Sequence, residues 1–202
     1  TAMRLPKSSA STGSSPASAA AAVSFTFKSD TDLYDVAKAR TVPLTITVSP
    51  HGRAFAVTAL DRRVRVFRFA TGKLTHNIDD TPEHYEALHA AGELPVDALD
   101  FGKRMAVERE YVAACGTALR TLLMPPPAAA GSRPPPQYRA PPSTAIFDSS
   151  GNFLLYPTCM GIVTRNLVTD KVAVTVGAVE NTERFVAPVL FQGVPVVSSQ
   201  YT

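Results

Sequence analysis

The clearest pattern in the sequence is the alternation of apolar and polar residues between positions 44 and 78. Short alternating runs rich in β-branched and aromatic residues are typical of strands. Gly52 and Gly72 lie in turn-like stretches between such runs, where glycine accepts a positive φ without steric cost. The pattern therefore predicts four antiparallel strands joined by tight turns. These strands cover residues 44–48, 54–59, 64–69 and 73–78.

The same pattern returns towards the C-terminal end of the chain. Gly151 and Asp170 are separated by almost the same number of residues as Gly52 and Gly72, so the two units are nearly in register. Units of four short strands are typical of the blades of a β-propeller, which closes with roughly four to eight blades. We therefore expect an all-β fold, a partial β-propeller with two clear blades and one or two partial ones. The second set of strands covers residues 144–147, 153–156, 162–166 and 171–176.

The N-terminal part of the chain has a different composition. Residues 1–22 are rich in Ser, Ala and Pro and carry few large apolar side chains. This composition favours a disordered linker, with a helix over residues 17–22 as the alternative. Residues 23–27 alternate in polarity and predict a strand, whereas residues 33–36 fit either a short strand or a single helical turn.

A long insertion separates the two strand-rich units. Its first part, residues 81–112, is predicted to be helical, because Thr81 followed by Pro82 is a helix-start signature and an amphipathic stretch covers residues 97–112. Its second part, residues 113–142, is rich in Pro and Ala and predicts a disordered or polyproline-like loop. The predicted domains are a linker at 1–22, blades at 23–78, the insertion at 79–142, and a blade with the start of another at 143–202.

Composition narrows the functional classes. The net charge of +3 is too small to indicate a nucleic-acid-binding protein. Cys115 and Cys159 form neither a metal-ligand spacing nor a disulfide framework, so we expect a reducing compartment. The sequence has no apolar run long enough to cross a bilayer and no secretory signal, so we expect no membrane partner. Because the chain starts at Thr1 and not at Met, we expect a fragment or a partial gene model.

The sequence carries no constellation typical of catalysis. Among the four histidines, His84 and His89 are closest, but their spacing does not place them on one helix face. Neither cysteine has a base that the sequence reveals, and the glycines do not form a phosphate-binding loop. We therefore expect no catalytic residue, no cofactor and no metal in this chain.

Two features suggest contact with a partner. The first is a group of basic residues between positions 53 and 73, which fits either RNA or an acidic partner, or else solvated turn residues that pair with nearby acids. No interleaved aromatic residues accompany this group, which weakens the RNA interpretation. The second is the segment 101–110, which fits either a helix packed on its own fold or a docking element. The candidate partner-binding residues are Arg62, Arg63, Arg65, Phe101, Arg104 and Arg109.

Several stretches together resemble one family, the nuclear peptidyl-prolyl isomerase with WD repeats. The segment 101–110 is the most specific of them, because it belongs to no generic blade. The resemblance covers residues 23–193 apart from the Pro/Ala-rich stretch 122–142. The stretches that carry it are residues 23–34, 61–69, 71–74, 99–110, 154–156, 161–162, 180–181 and 190–193.

This resemblance implies a fold, a role and a location. The family joins a WD-repeat propeller to a C-terminal cyclophilin domain and is linked to the spliceosome, so the chain is expected to be a nuclear protein-interaction scaffold with spliceosomal or other nuclear protein partners. The family's catalytic Arg and apolar pocket have no counterpart here, so a cyclophilin domain is expected to be absent. The chain also has no Trp and lacks the usual Gly-His and Trp-Asp repeat punctuation. There are two alternatives. One is a WD-repeat scaffold that has no isomerase domain, and the other is a module that contacts RNA through the basic group.

Overall fold

Two four-stranded antiparallel sheets and three α-helices make up the part of the chain that the computed structural model describes, residues 27–123 and 143–193. A single 3₁₀ turn, Lys28–Asp30, opens it. The elements are α1 (Asp35–Lys38), β1 (Pro43–Val48), β2 (Ala54–Ala59), β3 (Arg63–Arg68), β4 (Leu74–Asp79), α2 (Pro82–Ala90), α3 (Ala98–Leu123), β5 (Ile146–Phe147), β6 (Phe153–Thr158), β7 (Gly161–Asn166) and β8 (Lys171–Val176).

The first sheet is a simple meander in the order β1-β2-β3-β4. Its turns follow from local chemistry: Gly52 and Gly72 adopt φ values of 63° and 60°. The Ser49 hydroxyl also accepts hydrogen bonds from the backbone N–H groups of Arg53 and Ala54, at 3.2 and 3.1 Å. The turn between β1 and β2 therefore reverses the chain while the Ser49 side chain pairs with two of its backbone N–H groups.

The second sheet repeats this topology in the order β5-β6-β7-β8. The Asp148 carboxylate organises its first turn by accepting hydrogen bonds from the N–H groups of Ser150 and Phe153, at 3.1 and 2.9 Å. Gly161 begins β7 with φ 122°, and a Cβ there would lie 2.5 Å from the Val176 carbonyl oxygen. Only glycine allows the two strands to approach this closely.

The two sheets pack against each other through an apolar core. Thr58 adds a polar contact at the edge of this interface, where its hydroxyl donates to the Ser143 carbonyl at 2.9 Å. A second, smaller cluster of Phe101, Met105, Cys159 and Met160 fastens α3 to the turn between β6 and β7. The main core consists of Ala56, Val64, Val66, Ile78, Ala145, Phe147, Leu154, Tyr156 and Val163.

The predicted fold class is wrong. All eight predicted strands of the two units are confirmed, but they build two sheets beside a 26-residue helix, so the fold is mostly β with helices rather than all-β. The described residues form no closed ring and no third sheet, so the partial WD-repeat β-propeller is not observed. Residues 177–193, in the part of the chain predicted to contain the start of another blade, form neither helix nor strand. Alternation specifies strands and hairpins, but it does not specify how complete sheets are arranged.

The flanking predictions have mixed outcomes. Around residues 33–36 the helical alternative is confirmed, because α1 is a single helical turn. The helix predicted over residues 97–112 continues to Leu123, well into the stretch predicted to be low-complexity loop. The linker at 1–22, the strand at 23–27 except Phe27, and the Pro-rich stretch 124–142 lie outside the described residues. No helix in the described part of the chain combines the length and apolar character needed to cross a membrane.

The burial of Leu154 in the core leads to a first prediction. Leu154 is fully buried between the sheets, so Leu154→Ala removes three buried carbon atoms and leaves a cavity. We expect a loss of about 3 kcal/mol in the free energy of unfolding, measured by urea denaturation. The control Val189→Ala, at a side chain 95% exposed, should change the value by less than about 0.5 kcal/mol. Equal losses in the two variants would contradict this description of the core.

Candidate functional site

Four ionisable side chains from four parts of the chain meet in the interior. We call Arg62, Asp80, Glu108 and Arg184 the charge cluster. The Arg62 Nη2 atom lies 2.5 Å from Asp80 Oδ2 and 2.6 Å from Glu108 Oε1. Arg184 Nε lies 2.7 Å from Glu108 Oε2, and its Nη2 lies 3.6 Å from Asp80 Oδ2. Only 1% of the Glu108 side chain and 11% of the Arg62 side chain are exposed, so these charges interact largely without water between them.

Local structure brings the four residues together. Arg62 occupies the turn between β2 and β3 with φ 61°, and its carbonyl accepts a hydrogen bond from the Asp80 N–H at 2.9 Å. Glu108 lies on the inner face of α3, seven residues after the buried Phe101, a spacing of two helical turns. Arg184 reaches the cluster from the irregular segment after β8.

Two tyrosines complete the surroundings of the charges. The Tyr85 hydroxyl, from α2, donates to Asp80 Oδ1 at 3.1 Å. The Tyr111 ring, from α3, lies beneath both guanidinium groups, 5.4 Å from Arg62 Cζ and 4.5 Å from Arg184 Cζ. Aromatic faces attract guanidinium groups through cation–π contact, so Tyr111 adds to the attraction that holds the arginines.

Burial dominates the electrostatics of this cluster. Desolvation raises the pKa of Asp80 to about 6, because the interior of low polarity disfavours its charged form more than Arg62 and Arg184 favour it. The negative charge of Glu108 also raises this pKa. Desolvation likewise raises the pKa of the nearby Cys159 thiol to about 12. Cys159 is therefore a protonated core thiol at neutral pH and a poor nucleophile.

A small cleft with a volume of about 30 Å³ adjoins the charge cluster. It lies between the β2–β3 turn and α3, and its walls are mainly apolar. A cleft of this size holds about one or two water molecules, which is too little for a ligand. Its walls include Leu60, Arg62, Val64, Tyr111, Val112 and Cys115.

The three sequence-predicted arginines of the first sheet are all engaged in ion pairs. Arg62 belongs to the charge cluster, and Arg63 pairs with Asp79 at 3.1 Å while keeping 42% of its side chain exposed. Arg65 is 1% exposed and forms a bidentate ion pair with Asp61, with Nη1–Oδ1 and Nη2–Oδ2 distances of 3.1 and 2.6 Å.

The three predicted site residues of α3 differ in exposure. Phe101 is buried, and its ring stacks on His89 with centroids 4.1 Å apart. Arg104 is also buried and donates to the backbone carbonyls of Cys159 and Ala178. Arg109 is exposed and pairs with Glu86 on α2 at 2.8 Å. The segment 101–110 therefore packs on its own fold, with Arg109 on the outside, and partner binding by these residues stays a prediction.

The histidines do not gather into a metal centre in the described part of the chain. His84 and His89 both lie on α2, where the His89 ring faces Phe101 and the His84 ring faces Tyr85. Residues 27–123 and 143–193 contain no group of three or more His, Cys, Asp or Glu placed to hold a metal ion.

Sequence reasoning did not single out Asp80, Glu108 or Arg184. One signal existed for Glu108, because it continues the row of Phe101 and Met105 on the helix face that packs inward. A carboxylate in such a row indicates a buried partner of opposite charge. Arg184 gave no comparable signal, because it lies in a segment without strand or helix periodicity.

The raised pKa of Asp80 makes a second prediction. The folded protein holds the Asp80 proton up to about pH 6, whereas the unfolded chain releases it near pH 3.8. The contribution of Asp80 to the free energy of unfolding therefore falls as pH rises through this window, by about 3 kcal/mol. We expect the difference in unfolding free energy between wild type and Asp80→Asn to fall by about 2 kcal/mol between pH 4 and 6 in urea titrations, the rest of the change lying outside that range.

The exposed Asp170 offers a control of opposite sign. Its hydrogen bond with Arg165 lowers the pKa of Asp170, so its contribution is present above pH 4 and is lost as the pH falls. An Asp80→Asn difference that rises with pH, as the Asp170→Asn difference should, would contradict the burial of Asp80.

Comparison with known proteins places this chain beside peptidyl-prolyl isomerases. It is 38% identical over 174 residues to "Peptidyl-prolyl cis-trans isomerase CYP71" of Arabidopsis thaliana, a match over 85% of this chain and 24% of that protein. It is 34% identical over 172 residues to the mouse "Peptidylprolyl isomerase domain and WD repeat-containing protein 1", over 85% and 23%. It is 33% identical over 181 residues to "Peptidyl-prolyl cis-trans isomerase cyp15" of Rhizopus delemar, over 88% and 25%.

The chain spans about a quarter of the length of these curated relatives. No protein-family model matches it. The comparisons give no support to the expectation that a cyclophilin domain is absent. They confirm the coarser part of the resemblance, since the homologues of this chain are peptidyl-prolyl isomerases.

Proposed function

We propose that this chain is part of a peptidyl-prolyl cis-trans isomerase, an enzyme that interconverts the two isomers of X-Pro bonds. The observation that carries this proposal is the 38% identity to an isomerase over 85% of the chain. Spontaneous isomerisation takes tens to hundreds of seconds, so an enzyme can accelerate a slow step in folding or assembly.

We further propose that the described residues act as a protein-interaction scaffold that places the isomerase on a nuclear, splicing-related assembly. The outer face of β8 supports this role. Val172, Val174 and Val176 alternate along β8 and expose 53%, 55% and 57% of their surface. A row of exposed valines on the last strand of a sheet offers an apolar surface to a partner.

Direct contact with RNA has weaker support. Arg62 and Arg65 direct their guanidinium groups to buried or half-buried carboxylates, and little of either side chain is exposed. Phosphate contacts need cations that are free to neutralise them. We therefore favour protein partners.

The scaffold proposal predicts the outcome of a pull-down. The tagged protein should enrich spliceosomal proteins from nuclear extract, identified by mass spectrometry. The triple variant Val172→Asp, Val174→Asp and Val176→Asp should reduce that enrichment by roughly tenfold, because it places charges in the apolar surface. The control Val189→Asp, also exposed but outside β8, should leave it unchanged.

Two results would count against these proposals, the first against the scaffold role and the second against β8 as its surface. One is recovery of no spliceosomal protein by the wild type. The other is equal loss in both variants, which would show that β8 is not the surface involved.

The isomerase proposal has its own test. Protein expressed from the complete open reading frame should accelerate isomerisation of a short X-Pro peptide in a protease-coupled assay. The 202-residue chain should be assayed beside it. We expect it to leave the spontaneous rate unchanged, because the resemblance gives its residues no counterpart of the family's catalytic Arg. An inactive complete product would contradict the proposal.

A further inference from the structure

The two sheets share one topology, but their last strands differ in chemistry. In β4 the exposed side chains, Thr75 and Asn77, are polar. The N–H of Leu74 at the start of β4 also donates to the Asp32 carboxylate at 2.9 Å. In β8 three exposed valines take the place of these polar side chains. The last strand of the first sheet is therefore polar and partly capped, whereas the last strand of the second sheet is apolar.

The valines of β8 continue one face of the second sheet. The register places Val176 opposite Ile162 and Val174 opposite Thr164. Val163, between these two partners in β7, packs in the core between the sheets, so its neighbours lie on the other face. Ile162 and Thr164 are half-buried, whereas Val174 and Val176 are more than half exposed. The apolar surface is therefore most exposed along β8.

The side chains of β8 alone offer little area to a partner. Three valines that expose 53%, 55% and 57% of their surface present roughly 250 Å², against about 800 Å² on each side of a standard interface. A partner that met only these valines would be held weakly. An extended peptide also uses the backbone of the strand, because strand addition draws its affinity from main-chain hydrogen bonds.

Lys171 gives this strand a charge that favours one kind of peptide. It is exposed at the first position of β8, and no acid in residues 27–123 or 143–193 pairs with it. A second copy of β8 has no acidic side chain to offer, since Lys171 is the one charged residue of the strand. Opposite charges on neighbouring strands stabilise their pairing. An incoming peptide with an acidic residue at that end is therefore favoured over a second copy.

We propose that β8 binds an extended partner peptide, which adds to the second sheet as a further strand. The peptide carries apolar side chains at every second position, beside Val174 and Val176, and an acidic residue near the end that meets Lys171. This inference rests on the scaffold role proposed above, and it names the class of partner for that surface.

Backbone methylation of a peptide tests strand addition. The probe is a labelled peptide with the sequence Val-Thr-Val-Thr-Val-Glu, titrated with the 202-residue chain at low micromolar concentration and followed by fluorescence polarisation. Successive N–H groups of an extended peptide point to opposite edges. Methylation of the nitrogens on one edge should weaken binding roughly tenfold, whereas methylation on the other edge should leave it unchanged, because both peptides keep the same side chains.

This comparison uses the wild-type chain, so it does not depend on the folding of any variant. Equal affinities of the two methylated peptides would overturn the proposal. Absence of binding by the unmodified peptide would overturn it as well.

A matched pair of variants tests whether β8 is the strand involved. Val174→Asp should weaken binding of the unmodified peptide roughly tenfold, because it places a charge in the apolar surface. The control Asn77→Asp places the same charge on an exposed position of β4 and should change the affinity by less than about twofold. Equal losses in the two variants would exclude β8 as the binding strand.

A charge exchange tests the role of Lys171. Lys171→Glu should weaken binding of the acidic peptide roughly fivefold, and a peptide with Lys in place of its Glu should recover the lost affinity. If Lys171→Glu bound both peptides equally, the acidic residue would have no place in the proposed partner.

Two outcomes separate this inference from its alternatives. If the pull-down depends on β8 but the two methylated peptides bind alike, the scaffold role holds and strand addition fails. Sedimentation of the wild type at the concentrations of the titration should show a monomer. A dimer that Val174→Asp dissociates would assign β8 to a second copy of the chain and overturn the proposal.

Discussion

The burial of Glu108 is the constraint on which this arrangement depends. A carboxylate that is 1% exposed must meet positive charge, and it meets Arg62 from the first sheet and Arg184 from the segment after β8. Asp80 balances the second arginine and is itself held by the turn that carries Arg62. Removing one partner from such a network leaves an uncompensated buried charge, at a cost of about 3–5 kcal/mol. Two separate parts of the chain are therefore tied directly to one helical residue.

Two kinds of interior coexist in this chain. The hydrophobic attraction in the apolar core between the sheets has no preferred direction. It brings Leu154 and its neighbours close together but does not set the angles at which they meet. The charge cluster is directional, because ion pairs and hydrogen bonds weaken quickly with distance and angle. The first positions the sheets, and the second orients α3 and the segment that follows β8.

Local features were predictable from the sequence, and distant partnerships were not. The strands followed from alternation, and glycines such as Gly52 and Gly72 located the turns, because both signals lie within a few residues. The contact between Arg104 and Ala178 joins positions 74 residues apart, which no local pattern encodes. A count of arginines likewise gave the basic character of the first sheet but not the inward direction of Arg65. The propeller prediction was wrong for the same reason, because strand periodicity describes one sheet and not the assembly of several.

The outer edge of β8 has a consequence for handling the protein. In the part of the chain that the structure describes, β8 has a neighbouring strand on one side only, so no described strand pairs with its outer N–H and C=O groups, and it presents a valine at every second position. Natural edge strands are usually protected by charges, but among the β8 side chains only Lys171 is charged, at its first position. A flat apolar edge of this kind is a template for pairing between copies and for cross-β aggregation. The chain should therefore aggregate as its concentration rises unless another segment or a partner covers β8.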